Sequence, residues 1–414
     1  MPPSRADSAS MSAQLARATT QLPRTAVGVL VAISVCHLLN DMMQSLLPAI
    51  YPNIKSALGL DFGQIGIITL VNQITASLLQ PLVGLYSDRR PTPLALPGGT
   101  LFTLAGLLVL AAAHSYAMLL VGAAMIGVGS SVFHPESSRV ARMAAGGRHG
   151  FAQSLFQVGG NVGQAIGPLA AALVVVRWGQ SSIAFFALLS LVCGAILWNV
   201  GIWYKQHGLS RLHSAAGYRT HLLALPRAAV WRGLAVLLAL ILSKYVYFAA
   251  ISSYYTFYLI QRFGLSVQSA QMHLFIFLAA AALGTFIGGP IGDRVGRKTV
   301  IWFSILVPLP FTMLLPYVNL YWTTPLTVLI GLMLASAFPA IVVYGQEIVP
   351  GKVGMISGLF FGVAFGVAGL GAALLGILAD RTSIEYIYRV CAYLPLIGLL
   401  AWLLPETHRR RGAI

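Results

Sequence analysis

The sequence is poor in charge, and above all in acids. Of 414 residues only 9% are charged, with 10 Asp and Glu against 26 Lys and Arg. Soluble domains carry about 25% charged residues, so an ordinary soluble globule is excluded. Cysteine is scarce too: Cys36, Cys193 and Cys391 all fall inside apolar stretches and form no C-x-x-C pair. Neither a disulfide framework nor a metal site is indicated, which leaves three buried apolar thiols. A G-x-x-x-x-G-K-[ST] loop is missing, which removes ATP as a direct energy source, and no second His follows His134 at the spacing of a zinc protease. No span pairs a nucleophile with a base or sets out metal ligands, so the chain reads as neither an enzyme nor a cofactor protein. Residues 1–23 lack the short apolar core and cleavage site of a signal peptide and are expected to form a disordered cytoplasmic tail.

What is present is apolar. Hydrophobic residues make up 57% of the chain and the mean hydropathy is +0.81. They come in runs long enough for helices to cross a hydrocarbon core of about 30 Å, and they do not alternate as barrel strands would. The expected fold is an all-α integral membrane protein with spans at 25–51, 61–87, 93–113, 116–140, 150–176, 181–204, 231–259, 267–292, 298–319, 323–348, 353–380 and 384–404. The widest gap, 205–230, reads as a linker between two six-helix halves at 24–204 and 231–404, with a short tail at 405–414. The net charge of +16 sits in short loops, which speaks for membrane topology rather than nucleic acid. Twenty Lys and Arg fall on the side holding the tails and the linker, and five, Lys55, Arg177, Arg262, Arg381 and Arg389, fall on the other. That asymmetry is expected to put both termini in the cytoplasm. Lys244 alone is left mid-span.

The two halves repeat. GLYSDRR at 84–90 returns as GPIGDRVGRK at 289–298, so that Asp88 and Arg89 correspond to Asp293 and Arg294, and Phe133-His134-Pro135 is echoed by Phe338-Pro339. Parallel repeats of this kind mark transporters whose substrate site lies between the halves near the midplane. The GPIGDRVGRK loop resembles the loop signature of the major facilitator superfamily. With HLLNDMMQSLLPAIYP at 37–52, SSVFHPESSRVARMAAGGRHG at 130–150 and ISSYYTFYL at 251–259, nearly the whole chain resembles bacterial drug exporters of that superfamily. The resemblance implies twelve helices in two pseudo-symmetric halves, with spans 1, 4, 7 and 10 lining a central cavity.

Those four spans are the ones that carry membrane charge. In span 1, His37, Asp41 and Gln44 share one helix face, with Asn40 beside them. Asp41 reads either as a proton carrier or as a fixed ionic partner. In span 4, His134 and Glu136 read either as proton or substrate ligands or, with Arg139, as a cytoplasmic ion-pair latch. Lys244 in span 7 needs an anion, supplied by substrate or by Asp41 or Glu347. Tyr245, Tyr254 and Tyr255 offer hydroxyls and rings nearby, while Tyr258 suits an interfacial belt. Glu347, close to the cytoplasmic end of span 10, reads either as an interfacial residue or as a gate or proton site. Asp293, with Arg294 and Arg297, is expected to hold helix ends together, and the first copy, Asp88-Arg89-Arg90-Pro91, is expected to do so more weakly. Gly159, Gly163, Gly167 and Pro168 in span 5 suit close helix packing, for which Gly362, Gly366, Gly369 and Gly371 of span 11 are the expected counterpart. In the superfamily such a glycine seam is associated with antiporters.

The functional expectation is a monomeric secondary transporter that exports a small anionic drug, such as a phosphonate, in exchange for protons. The alternative is a proton-coupled metabolite symporter of the same fold. The expected partners are the drug or metabolite, protons and the lipid bilayer, with no cofactor, no metal and no nucleic acid.

Overall fold

A computed structural model describes residues 24–60, 62–208 and 225–406, and every regular element among them is helical. The expected tail at 1–23, most of the linker and Arg409 to Arg411 lie outside the described residues. The first half contains α1 (Val27–Ala49), a short helix (Tyr51–Leu58), α2 (Phe62–Arg89), α3 (Ala95–Ala111), α4 (Tyr116–Ala144), α5 (His149–Ala170) and α6 (Ala184–Trp203). The second contains α7 (Arg227–Phe263), α8 (Val267–Val295), α9 (Arg297–Leu306), α10 (Leu320–Ile348), α11 (Val353–Arg381) and α12 (Ile384–Cys391). A π turn at Ala171–Val175 prolongs α5, Leu309–Leu314 prolongs α9, and a 3-10 run at Leu394–Leu403 prolongs α12.

Counting these extensions, eleven helices among the described residues are long and apolar enough to cross a membrane. The twelfth, α3, has 17 residues. At about 1.5 Å per residue that is about 25 Å, most of a hydrocarbon core of about 30 Å. Helix α7 is longer than the sequence suggests, 37 residues from Arg227 to Phe263 instead of a span over 231–259.

The apolar side chains collect into three cores. One joins the halves: Leu30, Ile33, Phe133 and Phe156 of the first half meet Leu237, Phe338, Phe360 and Phe361 of the second. It lies toward the end where the Arg- and Lys-rich loops gather, called the basic end below. At the other end each half keeps its own core, Met42 to Ile54 with Leu107 and Leu119 in one, and Tyr255, Tyr258, Phe277 and Ile330 in the other. The halves are thus packed together at the basic end and separate in their packing at the opposite end.

Glycine sets the closest helix contact in the first half. A Cβ on Gly159, Gly163 or Gly167 of α5 would overlap Ser34, Leu38 and the Met42–Ser45 turn of α1, in that order. These positions recur every four residues on both helices, so one ridge lies along the other over two turns. The expected pairing with α11 is therefore corrected: Gly358 and Gly362 of α11 pack on Gln80 and Ser77 of α2, and Gly371 faces Val246 of α7. Tyr258 is also corrected, since it is fully buried with its ring 4.4 Å from that of Tyr388 and forms no interfacial belt.

Because the Gly163 position meets the Leu38 backbone, which cannot rotate away, Gly163→Leu should lower stability by about 1–3 kcal/mol or more through overpacking. Thermal unfolding of the purified variant in detergent measures this, and an unchanged midpoint would refute the seam.

Candidate functional site

At mid-depth, α1 and α4 bring His37, Asp41 and His134 together. Asp41 stands 14 residues into α1 (41 − 27), about 21 Å from its basic end at about 1.5 Å per residue. All three side chains are buried. His37 Nε2 lies 3.4 Å from Asp41 Oδ2, His134 Nε2 lies 3.4 Å from Asp41 Oδ1, and the two Nε2 atoms are 3.2 Å apart. Their other ring nitrogens face carbonyls: His37 Nδ1 is 2.8 Å from Phe156 O and His134 Nδ1 is 3.1 Å from Ser130 O. Asp41 also accepts from Asn40 at 3.0 Å, Gln44 at 3.4 Å and Gln164 of α5 at 2.9 Å. The His37 ring stacks on Phe156, and Gly160 of α5 leaves room for it, since a Cβ there would strike the imidazole. Among the described residues these three alone bring His, Cys, Asp or Glu donor atoms together in a group of three, all within 4.8 Å of one another.

Lys244 lies deep in α7 and is 4% exposed. Its Nζ sits 5.0 Å from the Tyr245 ring centre and 5.1 Å from that of Phe338, and it forms no ion pair with a carboxylate among the described residues. The two expected internal partners are taken: Asp41 by the imidazoles, Glu347 by Arg297 at 3.0 Å. Two cation–π contacts return roughly 2 kcal/mol each, which offsets the roughly 2.5–3.5 kcal/mol cost of a charge at membrane depth on insertion scales, but ring faces leave the three N–H donors of the ammonium without an oxygen acceptor. An anion arriving beside Nζ would therefore be strongly favoured. A continuous set of ring contacts joins the two sites. His134 meets Phe361 and Phe365 of α11 at 5.2 and 5.0 Å, Phe361 meets Phe338 at 5.1 Å, and Phe338 meets Tyr245 at 5.3 Å.

Closer to the basic end the halves are latched. Helices α5 and α11 begin at Arg148 and Lys352, neither of which caps its own helix. Their free N–H groups are taken by an aspartate from the other half. Asp293 accepts from Gly150 N at 2.8 Å and Phe151 N at 2.9 Å, and Asp88 accepts from Gly354 N at 3.0 Å and Met355 N at 2.9 Å. Gly150 against Gly289, and Gly84 against Gly354, allow the backbones this approach. Each aspartate has an arginine: Arg297, four residues on, at 3.0 Å from Asp293, and Arg139 from α4 at 3.8 Å from Asp88. Arg139 also donates to Ser87 O and lies 3.9 Å from Glu136. Between the latches, Gln346 of α10 donates to Ser138 of α4 and Ser357 of α11, while Arg142 donates to Gln346.

Comparison with known proteins fits this geometry. The family model for the Major Facilitator Superfamily matches residues 33–272 and 236–414. The chain belongs to the major facilitator superfamily. Within it, the chain is 56% identical over 396 residues to the fosmidomycin resistance protein of Escherichia coli K12, covering 95% of this chain and 97% of that one. It is 40% identical to the uncharacterized MFS-type transporter YfnC of Bacillus subtilis 168, over 97% and 98% of the two chains. Among solved structures of the superfamily, a variant of the E. coli fucose:proton symporter FucP matches with TM-score 0.70 at 14% identity, covering 93% of this chain and all of that one. The proton:xylose symporter XylE matches with TM-score 0.72 at 13% identity, covering 92% and 96%. The protein is thus a multi-pass transporter of this superfamily.

The structure sorts the residues singled out in the sequence. His134 and Glu136, two apart on one helix, point to different places: the ring to Asp41, the carboxylate to Arg139 and the latch. Asn40 and Gln44 are spent on Asp41. Tyr254 donates to Ala372 O, and the Tyr255 hydroxyl meets Thr327, so both brace helices. At Asp88, Arg139 supplies from another helix the cation that its own loop lacks, at 3.8 Å against 3.0 Å for Arg297 and Asp293. Gln164, Gln346, Phe361 and Phe365 were not visible as site residues, since lone amides and rings in apolar spans carry no distinctive pattern. The three-residue His/Asp group escaped a spacing search because its members come from two helices. Arg89 and Arg294, next in sequence to the latch aspartates, are exposed.

Asp88→Asn and Asp293→Asn each turn one acceptor oxygen into an NH2 that would face a backbone N–H. Each should loosen closure and expose a cysteine introduced at buried Ser138 to aqueous maleimide. Labelling no faster than in the parent would refute the latch.

Proposed function

We propose that this transporter exports a small anionic compound, of the phosphonate type that fosmidomycin exemplifies, in exchange for protons and by alternating access. The observation that carries the reading is Lys244, a buried cation over two rings without a carboxylate partner among the described residues. The name of the 56% identical relative points the same way. On this reading the anion docks at Lys244 beside Tyr245, and protons are taken up within the group that Asp41 forms with His37 and His134. Glu136 and Glu347 serve the gate with Asp88, Arg139, Asp293 and Arg297. The basic end faces the cytoplasm of a bacterial inner membrane, with both termini there, and the protein works as a monomer in the bilayer. On this reading the contacts of Asp88 and Asp293 with the opposite half shut the cytoplasmic path. Energetically the exchange is sound. Moving one charge through about 100 mV is worth about 2.3 kcal/mol, and an inside-negative potential favours both anion exit and proton entry.

The alternative, proton-coupled uptake of a metabolite, is separated by direction. In inverted vesicles an exporter accumulates the labelled anion when the lumen is acidic, and an uncoupler abolishes this. Uptake driven the other way would favour the symporter.

Lys244→Ala should abolish resistance to an anionic drug and its transport, with membrane insertion intact, and full retained resistance would remove Lys244 from the substrate site. Asp41→Asn should abolish drug-induced proton movement in vesicles. Unchanged proton movement would move the carrier to Glu136 or Glu347.

A further inference from the structure

The proton reading can be carried to a particular place. Both imidazoles are anchored by Nδ1 to backbone carbonyls, His37 to Phe156 O at 2.8 Å and His134 to Ser130 O at 3.1 Å. A carbonyl oxygen only accepts; the Ser130 hydroxyl also lies 3.3 Å from His134 Nδ1, but a bare Nδ1 would set its lone pair against the nearer Ser130 carbonyl, so each Nδ1 carries hydrogen and each neutral ring would leave Nε2 as a bare acceptor. The two Nε2 atoms nevertheless face each other at 3.2 Å, each 3.4 Å from an oxygen of Asp41, in a site closed to water. Asp41 cannot be the donor. Its oxygens already receive the amides of Asn40, Gln44 and Gln164, contacts that hold a carboxylate in its charged, acceptor-only form. Without a further hydrogen, four lone-pair-bearing atoms would converge with nothing between them.

We infer that His37 and His134 share one proton across their facing Nε2 atoms, with Asp41 as its fixed counter-charge. One ring is then an imidazolium that donates to the other, and Asp41 balances it. The role of this proton in transport rests on the exchange reading above, whereas its presence rests on the contacts alone. The groups facing the pair are few. Asp41 comes from α1; α4 carries Glu136 and Arg139 on another face; α5 brings Phe156 and Gln164; α11 brings Phe361 and Phe365. Removing the shared proton turns an attraction into a contact of two lone pairs and separates the rings. His37 is boxed in by Gly160 and Phe156, so His134 is the ring that moves, and it lies against the Phe361 and Phe365 rings of the other half. Loss of the proton therefore acts directly on the contact between halves. A metal ion is the competing occupant, disfavoured because three amides and two imidazoles already converge on a carboxylate with roughly four lone-pair sites.

The test is nitrogen NMR of full-length protein carrying labelled histidine, in nanodiscs near neutral pH after chelator treatment, with His37→Gln and His134→Gln used for assignment. The wild-type spectrum decides it even where a variant fails to fold. The expected result is one doubly protonated ring whose Nε2–H couples to the Nε2 of the other. Two neutral rings, an Nε2-protonated tautomer of either, or a metal retained after chelation and found by elemental analysis would each overturn the proposal. The two readings fail separately. A shared proton without drug-driven proton movement in vesicles removes the exchange reading and leaves this one. Proton movement without a shared proton removes this one and moves the carrier to Glu136 or Glu347.

Discussion

Everything polar in this protein answers to one constraint: a charge at membrane depth must be matched, and the chain has few acids with which to do it. Five of them, Asp41, Asp88, Glu136, Asp293 and Glu347, are placed between helices at mid-depth or near the basic end, and each has a cationic or amide partner. Asp41 holds two imidazoles. The other four hold Arg139, Arg297 and two helix N-termini. Lys244 is what remains, a cation that the protein itself neutralises only with ring faces. The imbalance is local and sits where the two halves meet.

The same pairs account for the shape. At the basic end the aspartates are exchanged between halves: Asp88 serves α11 and Asp293 serves α5. The shared apolar core lies under them, and beyond mid-depth each half packs on itself. The His37–Asp41–His134 group and Lys244 lie at the boundary between the joined and the separate portions. A change of charge at either point therefore bears on the contact that keeps the basic end shut, through Phe361, Phe365 and Phe338.

Much of this was legible in the sequence because it depends on local pattern. Apolar runs gave the helices, and the 205-residue offset between Asp88 and Asp293 gave the duplication. The charged positions were visible for the same reason, as exceptions in apolar text. Their partners were not. His134 lies 97 residues from His37, and only the crossing of α1 and α4 joins them. Pattern also misled where two tertiary solutions share one motif: the glycines of α5 and α11 look matched, yet each run packs on a different helix, α1 and α2. Tyr258 looked interfacial from its position near a helix end, but Tyr388 covers it, and nothing local announces that.

Capping a helix from the opposite half also sets the strength of closure. An aspartate on free N–H groups at a helix N-terminus is worth about 0.5–2 kcal/mol. Two such latches give about 1–4 kcal/mol on that scale, with the buried arginines adding to it. A closure held by tens of kcal/mol could not be reopened by a small ligand, since a ligand shifts an equilibrium only by its differential affinity for the two states. Reversing a population from 1:99 to 99:1 takes about 5.5 kcal/mol, which on the proposed exchange one anion at Lys244 and one proton would supply together. Had the caps come from within α5 and α11, the helices would be as well formed and the halves would have lost the bonds that let closure be both definite and reversible.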